Sequence, residues 1–120
     1  MTTMETDPNG IDSSAPGAKL DKGKLRASLV LSGFTKALTE VCKIGTYGAD
    51  KYSPNGWKFV SDGITRYEDA QLRHALKRWE GEIIDPDSGL HHAAHEAWNV
   101  LARLELALRE EEIDKEQENE

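Results

Sequence analysis

Three of the four histidines in this 120-residue chain fall within five positions, His91, His92 and His95, in the stretch Asp87-Ser88-Gly89-Leu90-His91-His92-Ala93-Ala94-His95-Glu96-Ala97-Trp98-Asn99. Imidazoles can hydrogen-bond, ligate a metal or exchange protons near neutral pH. On a helix advancing 100° per residue, His92, His95 and Asn99 project within about 60° of one another. Ala102 and Leu106 continue the same line, so this face reads as at least partly buried. His91 falls toward the Trp98 side. Two readings stand for the polar seam: satisfied core or interface groups, or part of a site. Zinc-protease chemistry is a poor fit, because His95-Glu96 is followed by Asn99 where the second histidine of H-E-x-x-H must stand.

Carboxylates supply the other half of a possible site. Asp69 and Glu82 bracket the second predicted helix, and Asp85 and Asp87 lie in the turn before the histidines. Carboxylates on neighbouring elements suit a hard divalent cation, which takes oxygen ligands and keeps waters for substrate phosphates. For each acid a solvated surface position is the alternative, and Asp87 or Ser88 also reads as a helix cap. Glu40 is a further acidic candidate. Arg66, Arg73, Lys77 and Arg78 give the second helix a basic sector, readable as a phosphate contact or as partners for nearby Glu side chains. Trp57 follows Pro-Asn-Gly in a loop, where an indole can stack on a base or anchor the loop to the core. The chain has no Gly-rich phosphate loop after a strand, no G-x-S-x-G and no nucleophile–base pair. Water attack on a metal-bound phosphate therefore fits better than covalent catalysis.

Three helices must position these groups. Phe34, Leu38, Val41 and Ile44 predict a first helix over residues 31–52, with Gly45 and Gly48 as points of weakness. Residues 53–63 carry Pro, Asn-Gly and Asp-Gly loop signals. A second helix over 64–82 places Leu72, Ala75, Leu76 and Trp79 on one side. A third over 90–111 carries the stripe Ala94, Ala97, Leu101, Leu104 and Leu108, expected to pack it against its neighbours. No alternating strand pattern occurs, so the predicted class is all-α, a small bundle of about three main helices. So few helices make a thin core, and completion by homo-oligomerisation is expected.

Residues 1–18 hold almost no large apolar side chains and read as a flexible tail; 19–110 form the helical domain; 111–120 read as an acidic tail into which the last helix frays. The 22 acidic and 15 basic side chains leave a formal charge of -7, which disfavours nucleic-acid polymers and anionic membranes as partners. The single Cys42 reads as an inert, partly buried thiol. It allows no internal disulfide, and the absence of a transmembrane-length run and of a signal-peptide pattern points to a reducing cytoplasm.

In order along the chain, Tyr47-Gly48-Ala49-x-Lys51-Tyr52 with Asn55 and Trp57, Asp69 with Arg73-His74, Gly81-Glu82 with Asp85 and Asp87-Ser88-Gly89, and His92-x-x-His95-x-x-x-Asn99 together resemble the phage-associated family of dATP/dGTP diphosphohydrolase N-terminal domains, over roughly residues 25–106. The resemblance implies a Mg²⁺- or Mn²⁺-dependent hydrolase that converts a purine deoxynucleoside triphosphate, dGTP or dATP, to monophosphate and pyrophosphate. In outline that activity is similar to the all-α MazG-like pyrophosphatases. Carried over, it implies Asp69, Glu82, Asp85 and Asp87 as metal ligands and His74, His92 and His95 as acid–base or phosphate-contacting groups. Lys51 and Arg73 would hold phosphates, Trp57 would sit near the base, and Asn55 and Asn99 complete the substrate-binding candidates. The chain departs from the broader pyrophosphatase pattern: Glu40 is followed three residues later by Lys43, with no clean second acidic pair. A site built from Asp and His instead tilts the metal preference toward Mn²⁺ or another transition metal. A nucleotide-binding module that senses or sequesters without hydrolysis is the alternative.

Overall fold

The computed structural model describes residues 7–119, and divides into two units, one ending at Phe34 and one beginning at Thr35. In the first unit residues 7–26 form successive turns. The Asp7 carboxylate ties one of them together, accepting from the backbone N–H of Asn9 at 2.7 Å and from that of Lys19. Helix α1 (Ala27–Leu31) and a 3-10 turn (Ser32–Phe34) complete this unit. The part of the flexible-tail expectation that falls on residues 1–6 lies outside the described residues.

The second unit is all-α, with three long helices, α2 (Thr35–Lys51), α3 (Gly63–Trp79) and α4 (His92–Glu118). Among the described residues the only β feature is an isolated antiparallel bridge, Ile84 to His91. Helix α2 runs through both glycines, although each costs a helix about 1 kcal/mol relative to Ala. Gly45 has a packing reason: a β-carbon there would stand 3.3 Å from Trp98 Nε1, so the bare backbone lets α2 approach α4. Asn55, with φ of 60°, reverses the chain into the 3-10 turn Gly56–Phe59. Trp57 from that turn packs edge-on against Tyr67 and Trp98, with ring centroids 6.5 and 5.7 Å away, and its carbonyl accepts the Tyr67 hydroxyl at 2.6 Å.

Helix α3 stops three residues earlier than the hydrophobic pattern predicts, and the cause is Gly81. Its φ of 99° suits glycine alone, and it completes a Schellman cap in which Gly81 N–H donates to Arg78 and Glu82 N–H to Lys77, both at 3.0 Å. Glu82 is therefore released from the helix into the connecting loop. The loop folds back on itself, with Asp85 N–H donating to the Leu90 carbonyl at 2.8 Å and His92 N–H to that of Ile83 at 2.9 Å. Helix α4 then starts with His91 as its N-cap residue, without a side-chain cap, so neither Asp87 nor Ser88 caps it.

Helices α3 and α4 pack antiparallel, with Arg78 near the end of α3 meeting Glu96 near the start of α4 and Gln71 earlier in α3 meeting Arg103 farther along α4. The buried side chains show which face of α4 was chosen. His92, His95, Asn99 and Ala102 are buried with Ala94, whereas Leu101, Leu104 and Leu108 are about half exposed. The expectation that the leucine stripe packs α4 against its neighbours within the chain is thus corrected: the histidine seam does so. Leu72, Leu76 and Trp79 on α3 are likewise exposed, leaving Ala75 as the buried member of that predicted face. Buried apolar residues are few among those described, Ile44, Ala75, Ala94 and Ala102. Cys42 is exposed, contrary to its predicted burial. Beyond Glu111 the helix does not fray where expected but continues to Glu118. An i,i+4 pair, Glu105 to Arg109 at 2.7 Å, has the orientation that supports a solvated helix at its start. No helix among the described residues is long and apolar enough to cross a membrane.

Candidate functional site

Where α3 meets α4 and their connecting loop, five of the predicted site residues converge: His74, Glu82, Asp85, His92 and His95. His74 comes from the α4-facing side of α3, His92 and His95 from the first turns of α4, and Glu82 and Asp85 from the loop that Gly81 starts. A Gly89 φ of 73° closes that loop, and Gly89 N–H donates to the Asp85 carbonyl at 2.8 Å.

Two linked chains of polar contacts run through the cluster. In one, Glu82 Oε2 lies 3.2 Å from His92 Nε2, and His92 Nδ1 lies 2.8 Å from His74 Nδ1. A carboxylate only accepts, so His92 Nε2 carries the proton given to Glu82. A neutral His92 then accepts at Nδ1 from His74 Nδ1–H, and a neutral His74 is left with an unshared pair on Nε2. In the other chain, Asp85 Oδ2 lies 3.3 Å from His95 Nε2, and Ser88 Oγ lies 2.7 Å from the same nitrogen and donates to Asp85 at 3.3 Å. The His74 and His95 rings stack with centroids 4.2 Å apart and planes 7° from parallel, which joins the two chains.

Burial sets the protonation states. It drives His95 down from the ordinary histidine value to about 4, assisted by the neighbouring His74 and His92 and opposed by Asp85. Burial is also the largest influence lowering His74, with Asp85 opposing it and His92 and Arg73 adding to it. For Asp85 burial acts upward, but the Asp87 N–H, His95, the Ser88 hydroxyl and His74 outweigh it and hold the carboxyl below the usual aspartate range. At neutral pH the cluster therefore presents neutral imidazoles at His74 and His95 beside an ionised Asp85.

The remaining candidates stand around or away from this cluster. Asn99 is buried one turn beyond His95, its Nδ2 donating to the His95 carbonyl at 2.8 Å, so it locks the helix backbone under that ring. Lys51 is exposed at the end of α2, its Nζ 5.7 Å from the Tyr47 ring, and Tyr47 meets His95 edge-on at 6.4 Å. Arg73 is exposed beside His74. Asp69 and Asp87 are exposed and outside the cluster. Asn55 serves the backbone reversal, and Trp57 serves the aromatic packing between loop, α3 and α4.

Glu96 and Tyr47 were not singled out by residue pattern, whereas Arg78 was, in the basic sector of the second helix. Arg78 makes a bidentate pair with Glu96, 2.7 and 2.9 Å, that clamps α3 to α4, and the Arg78 hydrogen bonds hold the Glu96 carboxyl below its ordinary range against the opposing effect of burial. Tyr47 supplies an aromatic wall against His95. Glu96 sits four residues after His92, a spacing that puts both on one side of the helix, and this was the available signal. Tyr47 had none beyond its place in the motif.

Fold and site together define an all-α domain with a buried histidine–carboxylate cluster between two antiparallel helices. The chain belongs to the dATP/dGTP diphosphohydrolase, N-terminal family, whose profile matches residues 14–116. It is 38% identical over 85 residues to a dATP/dGTP diphosphohydrolase of Salmonella phage PMBT28, a match covering 71% of this chain and 28% of that relative. The chain thus corresponds to little more than a quarter of the relative's length. No solved structure matches it.

Proposed function

We propose that the chain hydrolyses a purine deoxynucleoside triphosphate, dGTP or dATP, to the monophosphate and pyrophosphate, with Mg²⁺ or Mn²⁺ as cofactor. The observation that carries this reading is the convergence of His74, His92, His95, Glu82 and Asp85, in a family whose phage relative bears that activity in its name. In the reaction a water oxygen bonds to the α-phosphorus, the bond from that phosphorus to the bridging oxygen breaks, and pyrophosphate leaves with the electron pair. A divalent cation, when bound, neutralises charge on the phosphate oxygens and lowers the barrier to deprotonating the attacking water.

The chain's own residues supply the rest. The Glu82–His92–His74 chain orients the His74 ring, Glu82 accepting from His92 Nε2–H and His92 Nδ1 from His74 Nδ1–H, which leaves the unshared pair on His74 Nε2 to meet a cation while the water's proton passes to bulk solvent. Lys51 and Arg73, exposed near the Tyr47 and His74 edges of the cluster, hold the phosphates electrostatically. Asn99 and the Arg78–Glu96 clamp keep the α4 histidines in place. Copies of this chain cover the exposed Ala97, Leu101, Leu104 and Leu108, whose 4-3-4 spacing is that of a helix–helix seam. The proposed setting is the cytoplasm of a phage-infected bacterium.

A second reading is favoured by the small share of the relative that is matched: the cleavage chemistry lies elsewhere in that protein, and this domain binds the nucleotide without cutting it. Separating the products of each dNTP after incubation with the chain and Mn²⁺ distinguishes the two. Monophosphate plus pyrophosphate supports hydrolysis; saturable binding with all nucleotide recovered intact supports the binding module.

A further inference from the structure

We propose that His74, Asp85 and His95 form a single-ion site for a first-row transition metal, taken in preference to Mg²⁺. Their ligand atoms lie within 4.8 Å of one another, two contributed by helices and one by the loop between them. As an account of how the proposed hydrolase holds its cation, the inference rests on that reading, but the coordination is tested apart from it.

The spacing of one pair is already that of two ligands sharing an ion. Asp85 Oδ2 and His95 Nε2 stand 3.3 Å apart, and ligands about 2.1 Å from a common metal at a tetrahedral angle are separated by about 3.4 Å. Two ligands of one ion can be at most about 4.2 Å apart, so His74 must close by several tenths of an ångström. The His74 and His95 rings are stacked with planes 7° from parallel, so for both in-plane lone pairs to meet one ion one ring must also turn about its side-chain torsions. The donor set also selects the metal. Two imidazole nitrogens and one carboxylate are the ligands of Mn²⁺, Fe²⁺, Co²⁺ and Zn²⁺, whereas Mg²⁺ takes oxygen. Because Ser88 donates to Asp85, His95 Nε2 carries the ring proton beside them, and ligation through Nε2 places that proton on Nδ1.

The surroundings are those of a metal-binding histidine. His74 Nδ1 is engaged by His92, which is in turn oriented by Glu82, and this relay directs the free pair onto His74 Nε2. Ser88 Oγ holds Asp85 and His95 in register, with its own oxygen accepting from Leu90 N–H at 3.2 Å. Glu82 is thereby an orienting group, and Asp69 and Asp87 are not ligands. Three protein ligands leave open positions for water and phosphate oxygens, as a catalytic ion requires.

Tag-free, chelator-treated chain is titrated calorimetrically with Mn²⁺, Co²⁺, Zn²⁺ and Mg²⁺, and Co²⁺ uptake is followed by its visible d–d absorption. The site predicts one equivalent of Co²⁺ or Zn²⁺ bound at least a hundredfold more tightly than Mg²⁺. Affinity should fall at least tenfold in Asp85→Asn and in His95→Gln, and stay within twofold in the exposed-residue control His91→Ala. Should the variants lose their helical circular dichroism, wild-type chain answers alone: substoichiometric Mn²⁺ must broaden the His74 and His95 imidazole resonances before that of His91. No transition-metal uptake by the folded chain, undiminished uptake by folded variants, or broadening confined to His91 overturns the site. Metal uptake without nucleotide cleavage retains the site and removes the hydrolase reading; cleavage indifferent to Asp85→Asn does the reverse.

Discussion

Acidifying the metal-free protein from pH 7 to pH 4 should cost it stability through His95. The ring is 7% exposed, and burial holds its pKa near 4, against about 6.5 in an unfolded chain. Between those values the unfolded chain binds the proton and the folded one does not, so stability is fully present above about pH 6.5 and falls as pH drops toward 4. The linkage integral gives a loss of about 2 kcal/mol by pH 5 and about 3 kcal/mol by pH 4. That is a large part of a total of roughly 5–15 kcal/mol. His74, shifted in the same direction, adds to the loss. Asp85, lowered beneath an ordinary value that is itself 3.8, withdraws its own contribution only at still lower pH. Urea unfolding at pH 7, 6 and 5 in chelator should therefore show a falling midpoint in wild type. The profile should be shallower by about 2 kcal/mol at pH 5 in His95→Gln, which keeps a polar group near Ser88 but cannot titrate. Parallel profiles for the two proteins over this range would refute the reasoning.

Other perturbations address separate parts of the account. Glu96→Gln removes the charge from a half-buried bidentate pair and should lower stability by about 1–3 kcal/mol, read as a shift in urea midpoint; an unchanged midpoint would mean the clamp holds nothing. Leu101→Glu with Leu104→Glu places charges on the exposed 4-3-4 stripe and should reduce the mass found by sedimentation, whereas a wild type already monomeric at tens of micromolar contradicts the proposed seam. Glu82→Gln weakens the acceptor that orients His92 and should lower transition-metal affinity by about 10- to 100-fold, checked by the same calorimetric titration; a change under twofold would remove the relay.

The legibility of this fold in its sequence was uneven, for physical reasons. Helix period and loop signals located α2, α3 and α4, because those properties are local. The choice of buried face on α4 was not local: both sides carry apolar residues, and burial of the His92–His95–Asn99 side depended on α3 offering His74 opposite it. The three histidines were singled out by spacing, yet the partnership of His95 with Asp85 and Ser88 required the loop to fold back, which no periodicity encodes. The predicted second helix ran on to Glu82, past the positive-φ turn at Gly81 that ends α3 at Trp79. Asp69 and Asp87 share the chemistry of Asp85 and differ from it only in where the backbone puts them.

The measurement that bears most directly on the central claim is chromatography of dGTP and dATP after incubation with purified, metal-loaded chain, beside folded Asp85→Asn and His95→Gln proteins. Wild type should yield deoxynucleoside monophosphate and pyrophosphate in equal amounts, with the rate reduced at least a hundredfold in both variants. Intact nucleotide with every cation tried, or equal turnover by wild type and variants, would contradict that claim.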